Sequence, residues 1–314
     1  MTTCDAALFS VLRDDDRAAL RALLGERARF DERLAPYTSW KVGGPADALL
    51  ALERAEELAA VLRLVRRRAL PWFVLGSGSN LLVGDGGIRG IVLRLGGEFA
   101  RIDVVVADAS VVVSAGASAS LPLVVAQAAS AGADGIDALA GIPGSVGGAL
   151  RMNAGTDRET GEFVRDVWVQ TPTKPEPHAV TPQYFYRHTT LARDAIVERA
   201  TFVFARVEPA LVRERTQARL VRRKAMQPLQ YANAGSCFRN PPGARAGALI
   251  EAAGAKGWCE GGAQVSELHA NFVVNRGDAS ASDVAALLGR VRRRVAQESG
   301  IELELEVHFV GVFA

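Results

Sequence analysis

The sequence predicts a protein of mixed helices and strands that is divided into more than one domain. Residues 54–70 carry apolar side chains at helical spacing, at Leu58, Val61, Leu62 and Val65. Residues 91–116 instead hold valine-rich runs that are typical of strands. Because 314 residues are long for a single hydrophobic core, we expect two or three domains.

The other predicted elements follow from the same two patterns. In chain order they are a charged helical segment (1–30), a helix that ends at Gly132 (120–132), strand-like segments before Pro209 and a basic helix (210–226). An amphipathic helix and a C-terminal strand (301–313) follow. The apolar stripe of that helix consists of Val284, Leu287, Leu288, Val291 and Val295. Pro209 marks the domain boundary that we expect.

Composition argues against several classes of function. A formal net charge of +2 gives no field that would attract nucleic acid, and we interpret the basic runs at 66–68, 222–224 and 292–294 as solvated helix faces. No uninterrupted apolar run is long enough for a membrane span, which needs about 18 residues. The cysteines form no CxxC pair, which favours a reducing, cytoplasmic location, and the histidines show no metal-ligand spacing, so we expect no metal.

A first glycine loop, residues 76–82 (GSGSNLL), follows the apolar run WFVL. It begins like GxGxxG but lacks the third glycine, and a Rossmann loop would have to open a helix. Here the chain continues into a turn, GDGGIRG, and another strand-like run. We therefore expect a strand–loop–strand in which successive N–H groups, with Ser77, Ser79 and Asn80, bind an anion. For this loop alone, a tight solvated turn is an equal alternative.

Two further segments are rich in glycine: a second glycine loop at residues 141–149 (GIPGSVGGA) and WKVGG at 40–44. Glycine permits close backbone approach and positive φ angles. Several such loops that converge on one ligand would suit a large phosphorylated molecule. Several independent turns are the alternative.

Five longer segments resemble a known family, in the same order. They are YTSWKVGGPAD, LGSGSNLLVGDGGIRGIV, GIPGSVGGALRMNAG, AGSCFRNP and AGAKGWCEGGAQVSELHANFVVNRGDASASDV. Together they cover about residues 36–310, and they are similar to the UDP-N-acetylenolpyruvoylglucosamine reductases, the second enzymes of peptidoglycan precursor synthesis. The short chain resembles the family's shorter subtype, which lacks an extra tyrosine-bearing loop.

The resemblance implies an α+β fold in two parts. The first would be an FAD-binding domain of the p-cresol methylhydroxylase type at residues 1–206, with lobes at about 20–95 and 96–206. The second would be a C-terminal α+β substrate-binding domain at 207–314, whose last strand, about 300–314, is a candidate to return to the first lobe.

The resemblance also implies two cofactors, FAD and NADPH. FAD would lie between the lobes, with its pyrophosphate on the first glycine loop. The cofactor-binding residues implied are Lys41, Val42, Gly43, Gly44, Gly76, Ser77, Gly78, Ser79, Asn80, Leu81, Leu82, Gly141, Ile142, Pro143, Gly144, Ser145, Gly147, Gly148, Ala149, Asn153, Ala154 and Gly155.

In the family's reaction, hydride from reduced flavin adds to the enolpyruvyl C=C of the substrate. The negative charge left on the α-carbon is delocalised into the adjacent carboxylate as an enolate. The resemblance implies that Arg187 binds that carboxylate, Ser236 donates the proton, and Glu306 completes the set as an acid with a raised pKa. Glu302 and Glu304 share the polar face of the predicted strand with Glu306, so periodicity alone does not separate the three glutamates.

The substrate implied is UDP-N-acetylglucosamine enolpyruvate, bound by a monomer through Tyr186, Arg239, Asn240, Lys256 and Asn271. Three places depart from the family pattern: segment 156–163 lacks an aromatic–glycine pair, His188 and Thr189 follow the Tyr–Arg pair, and His308 replaces an arginine. Two alternatives therefore stay open. One is a diverged protein that binds FAD or a nucleotide sugar with little activity, and the other is a different flavin oxidoreductase of the same fold.

Overall fold

The computed structural model describes residues 10–313. Its helices are α1 (Asp14–Leu24), α2 (Ala55–Arg68), α3 (Leu121–Ser130), α4 (Val146–Met152), α5 (Pro209–Met226), α6 (Ala246–Ala252) and α7 (Ala281–Ser299). Its strands are β1 (Ala28–Arg33), β2 (Pro45–Leu52), β3 (Trp72–Val74), β4 (Leu81–Val83), β5 (Ile88–Leu95), β6 (Ile102–Val106), β7 (Ser110–Gly116), β8 (Val164–Gln170), β9 (His178–Val180), β10 (Tyr184–Phe185), β11 (His188–Thr189), β12 (Ile196–Ala205), β13 (Ala232–Asn233), β14 (Cys259–Glu260), β15 (Ala263–Val265), β16 (Val273–Asn275) and β17 (His308–Val310).

The first lobe is a four-stranded sheet in the order β1-β2-β5-β3. β1 runs antiparallel to β2, while β2 and β3 both pair with β5 in parallel. Helix α2 buries Leu58, Val61 and Leu62 in the same core as strand residues such as Leu50. The helix predicted over 54–70 is therefore confirmed, because its apolar residues at helical spacing form one buried face.

The second lobe is a five-stranded antiparallel sheet in the order β6-β7-β12-β8-β9. Helices α3 and α4 contribute to its core, in which Val113, Val124 and Phe202 are buried. The predicted helix that ends at Gly132 is confirmed as α3, and Gly132 follows with a φ of +85°. The chain thus leaves α3 through a left-handed residue, which glycine adopts without strain.

The third sheet has the order β13-β16-β15-β14, and α7 covers it with the predicted stripe of buried valines and leucines. Trp40 reaches this core from the WKVGG segment, and its indole N–H donates to the Val273 carbonyl at 2.8 Å. Asn275 Nδ2 donates back to the Trp40 carbonyl at 2.9 Å. The WKVGG segment therefore packs against the C-terminal sheet. The domain limits given above remain predictions, and residues 1–9 and 314 lie outside the described range.

The predicted C-terminal strand over 301–313 is wrong in extent, because only His308–Val310 forms a strand. Before it, the chain pairs with a different partner: Leu305 bridges Phe238, and the Glu306 amide donates to the Cys237 carbonyl at 2.8 Å. From His308 onward the chain pairs in parallel with β4, in a separate two-stranded sheet. Since each partner is short, the segment changes partners instead of forming one continuous ladder.

Candidate active site

The first glycine loop connects β3 to β4 without a helix, as predicted. Within residues 10–313, none of the five backbone N–H groups of residues 76–80 donates to a protein acceptor. Gly78 has a φ of +62°, and a methyl group added there would lie 2.4 Å from the Tyr37 carbonyl oxygen. A run of free N–H groups in a tight loop is the arrangement that binds an anion without a helix dipole.

The second glycine loop faces the first. Ser79 Oγ lies 3.5 Å from the Pro143 carbonyl oxygen, and a methyl group added at Gly76 would lie 2.9 Å from Ser145 Oγ. The N–H groups of Gly144 and Ser145 also donate to no acceptor in the described part of the chain. The two loops together offer several free donors to one region, which suits a diphosphate, and a side chain on the loop glycines would fill part of this space.

Helix α4 begins directly after the second glycine loop and was not predicted. Its first turn contains Gly147 and Gly148, which disfavour a helix in isolation. Packing explains Gly147, because a methyl group there would lie 3.1 Å from the Ala117 Cβ. Ser145 Oγ accepts from the Gly148 amide at 3.4 Å and caps the helix.

Several of the predicted cofactor residues have side chains that are already engaged elsewhere. Val42 and Leu82 are buried in the core of the C-terminal sheet, and Ala149 is buried in the second lobe. Lys41 Nζ donates to the Pro36 carbonyl at 3.1 Å in an exposed position. For the three buried residues, only backbone atoms can take part in cofactor binding.

Arg187 lies in the two-residue turn of the hairpin formed by β10 and β11. Its φ of +55° is in the left-handed region, which costs a residue other than glycine about 1–2 kcal/mol. The guanidinium carbon stands 4.9 Å from the centre of the Tyr186 ring. A strained backbone at a predicted catalytic residue is typical of functional sites.

Glu306 forms an ion pair with Arg187, in which Arg187 Nε donates to Glu306 Oε1 at 2.8 Å. Asn80 of the first glycine loop donates through Nδ2 to the Glu306 carbonyl at 3.0 Å. The Glu306 amide is bonded to the carbonyl of Cys237, the residue that follows Ser236. The fold thus brings Arg187, Glu306, Ser236 and the first glycine loop to one place, although they are far apart in sequence.

Burial separates Glu306 from the two glutamates that share its face. The side chains of Glu302 and Glu304 are 78% and 76% exposed, whereas that of Glu306 is 18% exposed. Glu302 pairs with Arg292, and Glu304 with Arg239. Glu306 is therefore the glutamate of the three that is enclosed by the candidate site. It is held in an ion pair with Arg187, where the resemblance implied an acid hydrogen-bonded to substrate.

The predicted substrate-binding residues differ in how far their side chains are free to contact a ligand. Tyr186 is exposed, Arg239 pairs with Glu304 at 3.6 Å, and Lys256 pairs with Glu251 at 2.7 Å. Asn240 Oδ1 accepts from the Ala246 amide at 3.0 Å.

Asn271 is buried, and its amide group bonds both the N–H and the carbonyl of Phe238, at 3.0 and 2.8 Å. Its side chain therefore holds the segment that carries Ser236, and does not point free into the site.

Two residues that the sequence patterns did not single out lie against the predicted site. Arg223 covers the second glycine loop, since a methyl group at Gly141 would lie 2.8 Å from Arg223 Cδ. The side chain of Arg223 has no hydrogen-bonded or ionic partner among residues 10–313, and its partial burial lowers its pKa. Of residues 222–224, interpreted above as a solvated face, Arg222 and Lys224 are exposed and Arg223 is half-buried. The other residue is Glu159, 3.3 Å from Arg187 Nη1.

His308, which replaces the expected arginine, is exposed, and its Nε2 stands 3.1 Å from Met152 Sδ. Its amide donates to the Asn80 carbonyl at 3.0 Å.

Two further findings concern membrane-spanning helices and metal sites. No helix within residues 10–313 is both long and apolar enough to cross a membrane. In that same range, no cluster of three or more His, Cys, Asp or Glu side chains is placed to hold a metal.

Free N–H groups on the first glycine loop lie beside a partly buried arginine–glutamate pair. Residues 46–172 match the family model described as an FAD binding domain. The chain is thus an FAD-containing oxidoreductase with the predicted α+β fold. Residues 227–310 match the model for the C-terminal domain of UDP-N-acetylenolpyruvoylglucosamine reductase. The chain belongs to the UDP-N-acetylenolpyruvoylglucosamine reductase family.

Three similar proteins show how far the match extends. The chain is 44% identical to UDP-N-acetylenolpyruvoylglucosamine reductase of Moorella thermoacetica, over 93% of this chain and 98% of that protein. It is also 44% identical to reductase 2 of Symbiobacterium thermophilum, over 93% and 96%. The crystal structure of the enzyme from Thermus caldophilus superposes with a TM-score of 0.76 at 38% identity, over 90% of this chain and 99% of that one.

Proposed function

We propose that this chain reduces UDP-N-acetylglucosamine enolpyruvate to UDP-N-acetylmuramate with NADPH, through FAD, in peptidoglycan precursor synthesis. Family membership supports the reaction. The observation that carries the proposal is the contact of Arg187 with Glu306, beside the segment that holds Ser236. This arrangement brings together a cation that can bind a carboxylate, Arg187, and a hydroxyl group that can donate a proton, Ser236.

The two glycine loops would hold the FAD pyrophosphate. Their free N–H groups, with the hydroxyls of Ser77 and Ser79, are the donors that such a group requires. When bound, FAD takes up hydride from NADPH and supplies it to the C=C of the substrate. Arg223 would add a positive charge at the second glycine loop.

Gly78→Ala tests the cofactor site. The added methyl group would lie 2.4 Å from the Tyr37 carbonyl oxygen and 2.8 Å from Thr38 Cα, so the loop must shift. We expect FAD affinity to fall by about 10- to 100-fold, which corresponds to strain of roughly 1–3 kcal/mol. Titration of FAD into the apoprotein measures this.

Gly254→Ala is the matched control, since Gly254 has a φ of +71° and nothing within 4 Å of the added methyl group. Equal loss of FAD affinity in both variants would mean that the first glycine loop does not hold the cofactor.

Arg187 is proposed to bind the substrate carboxylate. As negative charge develops next to that carboxylate, a fixed guanidinium lowers the energy of the transition state without reorganising. Ser236 is proposed to give its hydroxyl proton to the α-carbon, since an enolate carbon is a strong enough base to take it. Glu306 is proposed to orient Arg187 and to complete the hydrogen bonds around the carboxylate.

The nucleotide-sugar end would lie along the C-terminal sheet. Lys256 is proposed to reach the diphosphate, with Arg239, Asn240 and Tyr186 around the sugar. We place the protein in the cytoplasm, because the cysteines show no disulfide framework, and we propose that it acts as a monomer.

A half-reaction assay tests the proposed function. The purified protein is expected to show flavin absorbance and to oxidise NADPH only when the enolpyruvyl nucleotide sugar is present. A colourless protein that does not take up added FAD contradicts a flavin enzyme. NADPH oxidation that ignores the nucleotide sugar contradicts this reductase and favours another flavin oxidoreductase. Bound flavin without turnover indicates a diverged protein with little activity.

A further inference from the structure

Arg187 is held from three sides. Its Nε donates to Glu306 Oε1 at 2.8 Å, its Nη2 donates to the Gly155 carbonyl at 3.1 Å, and its Nη1 donates to Glu159 Oε1 at 3.3 Å. A guanidinium has five N–H donors. Three are used here, so one N–H on each Nη nitrogen has no partner in the described chain. Two such donors are the number that a carboxylate takes in a bidentate pair.

Glu159 is itself fixed by the backbone around it. Residues 155–159 form a tight turn, in which a methyl group at Gly155 would lie 2.2 Å from the Arg158 carbonyl oxygen. The Glu159 amide donates to Glu162 Oε1 at 2.7 Å. One carboxylate oxygen of Glu159 accepts from Arg187 and the other from Asn153 Nδ2. The side chain of Glu159 therefore has little freedom to turn away from Arg187.

Asn153 joins this turn to the hairpin that carries Arg187. Its Nδ2 also donates to the Phe185 carbonyl at 3.0 Å, and its Oδ1 accepts from the Gly161 amide at 2.8 Å. Asn153 is buried and has a left-handed φ of +44° at the end of α4. Both N–H groups of Nδ2 and the Oδ1 atom are bonded to protein, so this side chain supports the Arg187 turn.

The environment of Glu159 makes its charge depend on Arg187. Burial raises the pKa of the Glu159 carboxyl, and the positive charge of Arg187 opposes that rise. Glu159 is thus a partly enclosed carboxylate, and its cationic neighbour is Arg187, the predicted substrate anchor. Arg158, the nearest basic residue in sequence, pairs with Glu162 at 2.9 Å.

We propose that Glu159, held in place by Asn153, is a positioning residue that aims the Arg187 guanidinium so that its two remaining N–H groups meet the substrate carboxylate. This inference rests on the proposed function of Arg187. It assigns a role within the segment 156–163, which departs from the family pattern. Glu159 touches Arg187 and acts through it, so its effect is confined to ligands that carry the carboxylate.

The test compares two ligands that differ in that group. UDP-N-acetylmuramate carries the carboxylate, and UDP-N-acetylglucosamine does not. Glu159→Ala is expected to weaken binding of the first by roughly 10-fold or more, because a misplaced guanidinium loses its paired geometry, and to leave binding of the second unchanged. KM for the enolpyruvyl substrate should rise and kcat should fall, while the rate of flavin reduction by NADPH stays the same.

Glu159→Gln and Asp157→Asn complete the design. Glu159→Gln keeps an oxygen that can accept from Arg187, so it should recover part of the loss, and it serves if Glu159→Ala does not fold. Asp157→Asn removes a carboxylate of the same segment that pairs with Arg219 at 2.7 Å, and it should behave as wild type toward both ligands.

Two results overturn the inference in different ways. If Glu159→Ala weakens both ligands equally, or neither, while wild type turns over, then only the positioning role is rejected. If wild type shows neither preference for the carboxylate-bearing sugar nor substrate-dependent NADPH oxidation, the proposed function fails together with it.

Discussion

Arg187→Ala is expected to leave flavin reduction by NADPH intact and to slow reoxidation of the flavin by the enolpyruvyl substrate by roughly 10²–10³-fold, the loss typical for one preorganised electrostatic group. Alanine keeps the same left-handed penalty at a φ of +55°, so the change removes the guanidinium without relieving the backbone. Stopped-flow absorbance of the flavin separates the two half-reactions.

The physical reason is the placement of the charge. The Arg187 side chain is only 15% exposed and is flanked by Glu306 and Glu159, with its remaining donors directed by those contacts. Arg187→Lys should recover only part of the rate, because an ammonium is a compact charge without a planar fork. It cannot reproduce three fixed hydrogen bonds and a bidentate pair together.

Arg158→Ala is the control for Arg187→Ala. Arg158 lies in the neighbouring segment, pairs with Glu162 and stands over the Phe163 ring at 4.4 Å, without contact to Glu306. It should leave both half-reactions near wild type. An Arg187→Ala enzyme that reoxidises its flavin with substrate at the wild-type rate would remove Arg187 from the mechanism.

Ser236→Ala is expected to slow the substrate half-reaction by about 10²–10⁴-fold, the range for loss of a positioned proton donor. Flavin reduction by NADPH should again be unaffected. Ser236 is partly exposed and makes no hydrogen bond within residues 10–313, so its hydroxyl is free to face a substrate. The Cys237–Glu306 bond and the Asn271 side chain hold the segment that carries it.

Cys237→Ala is the matched control, because Cys237 is the adjacent residue but points into the core. Burial raises the pKa of the Cys237 thiol to about 12, and its Sγ stands 3.9 Å from the Gly235 carbonyl oxygen. This variant should keep the rate of the substrate half-reaction. If Ser236→Ala impaired both half-reactions equally, or if Cys237→Ala matched it, the assignment of Ser236 as proton donor would be refuted.

Local patterns were sufficient for most of the fold. Helices α2 and α7 were predicted from apolar spacing, because each buries one apolar stripe. Helix α5 was predicted as a basic helix after Pro209, and its buried residues are Val212 and Thr216. The absence of a helix after the first glycine loop was equally readable. Helix α4 was missed because its first turn contains two glycines, which disfavour a helix locally. Gly147 is accounted for by its packing against Ala117, which is distant in sequence.

The C-terminal segment shows where periodicity fails. Alternation correctly placed Leu303 and Val307 inside, but it predicted one long strand and three equivalent glutamates. The strand is short because its partners change from Phe238 to β4. Glu306 differs from Glu302 and Glu304 because it is enclosed and because Arg187, far away in sequence, reaches it.

By itself, the sequence determined the class of protein: its ordered glycine loops and motifs identify an FAD-containing reductase family, since those features are local and specific. Tertiary structure alone decided which side chains are free to act. It placed Val42 and Leu82 in a hydrophobic core. It also placed the side chains of Asn153 and Asn271 where they support the segments that carry Arg187 and Ser236. It also brought Glu159 to Arg187. The reason is that burial and hydrogen-bond pairing depend on neighbours distant in the chain, which no local pattern specifies.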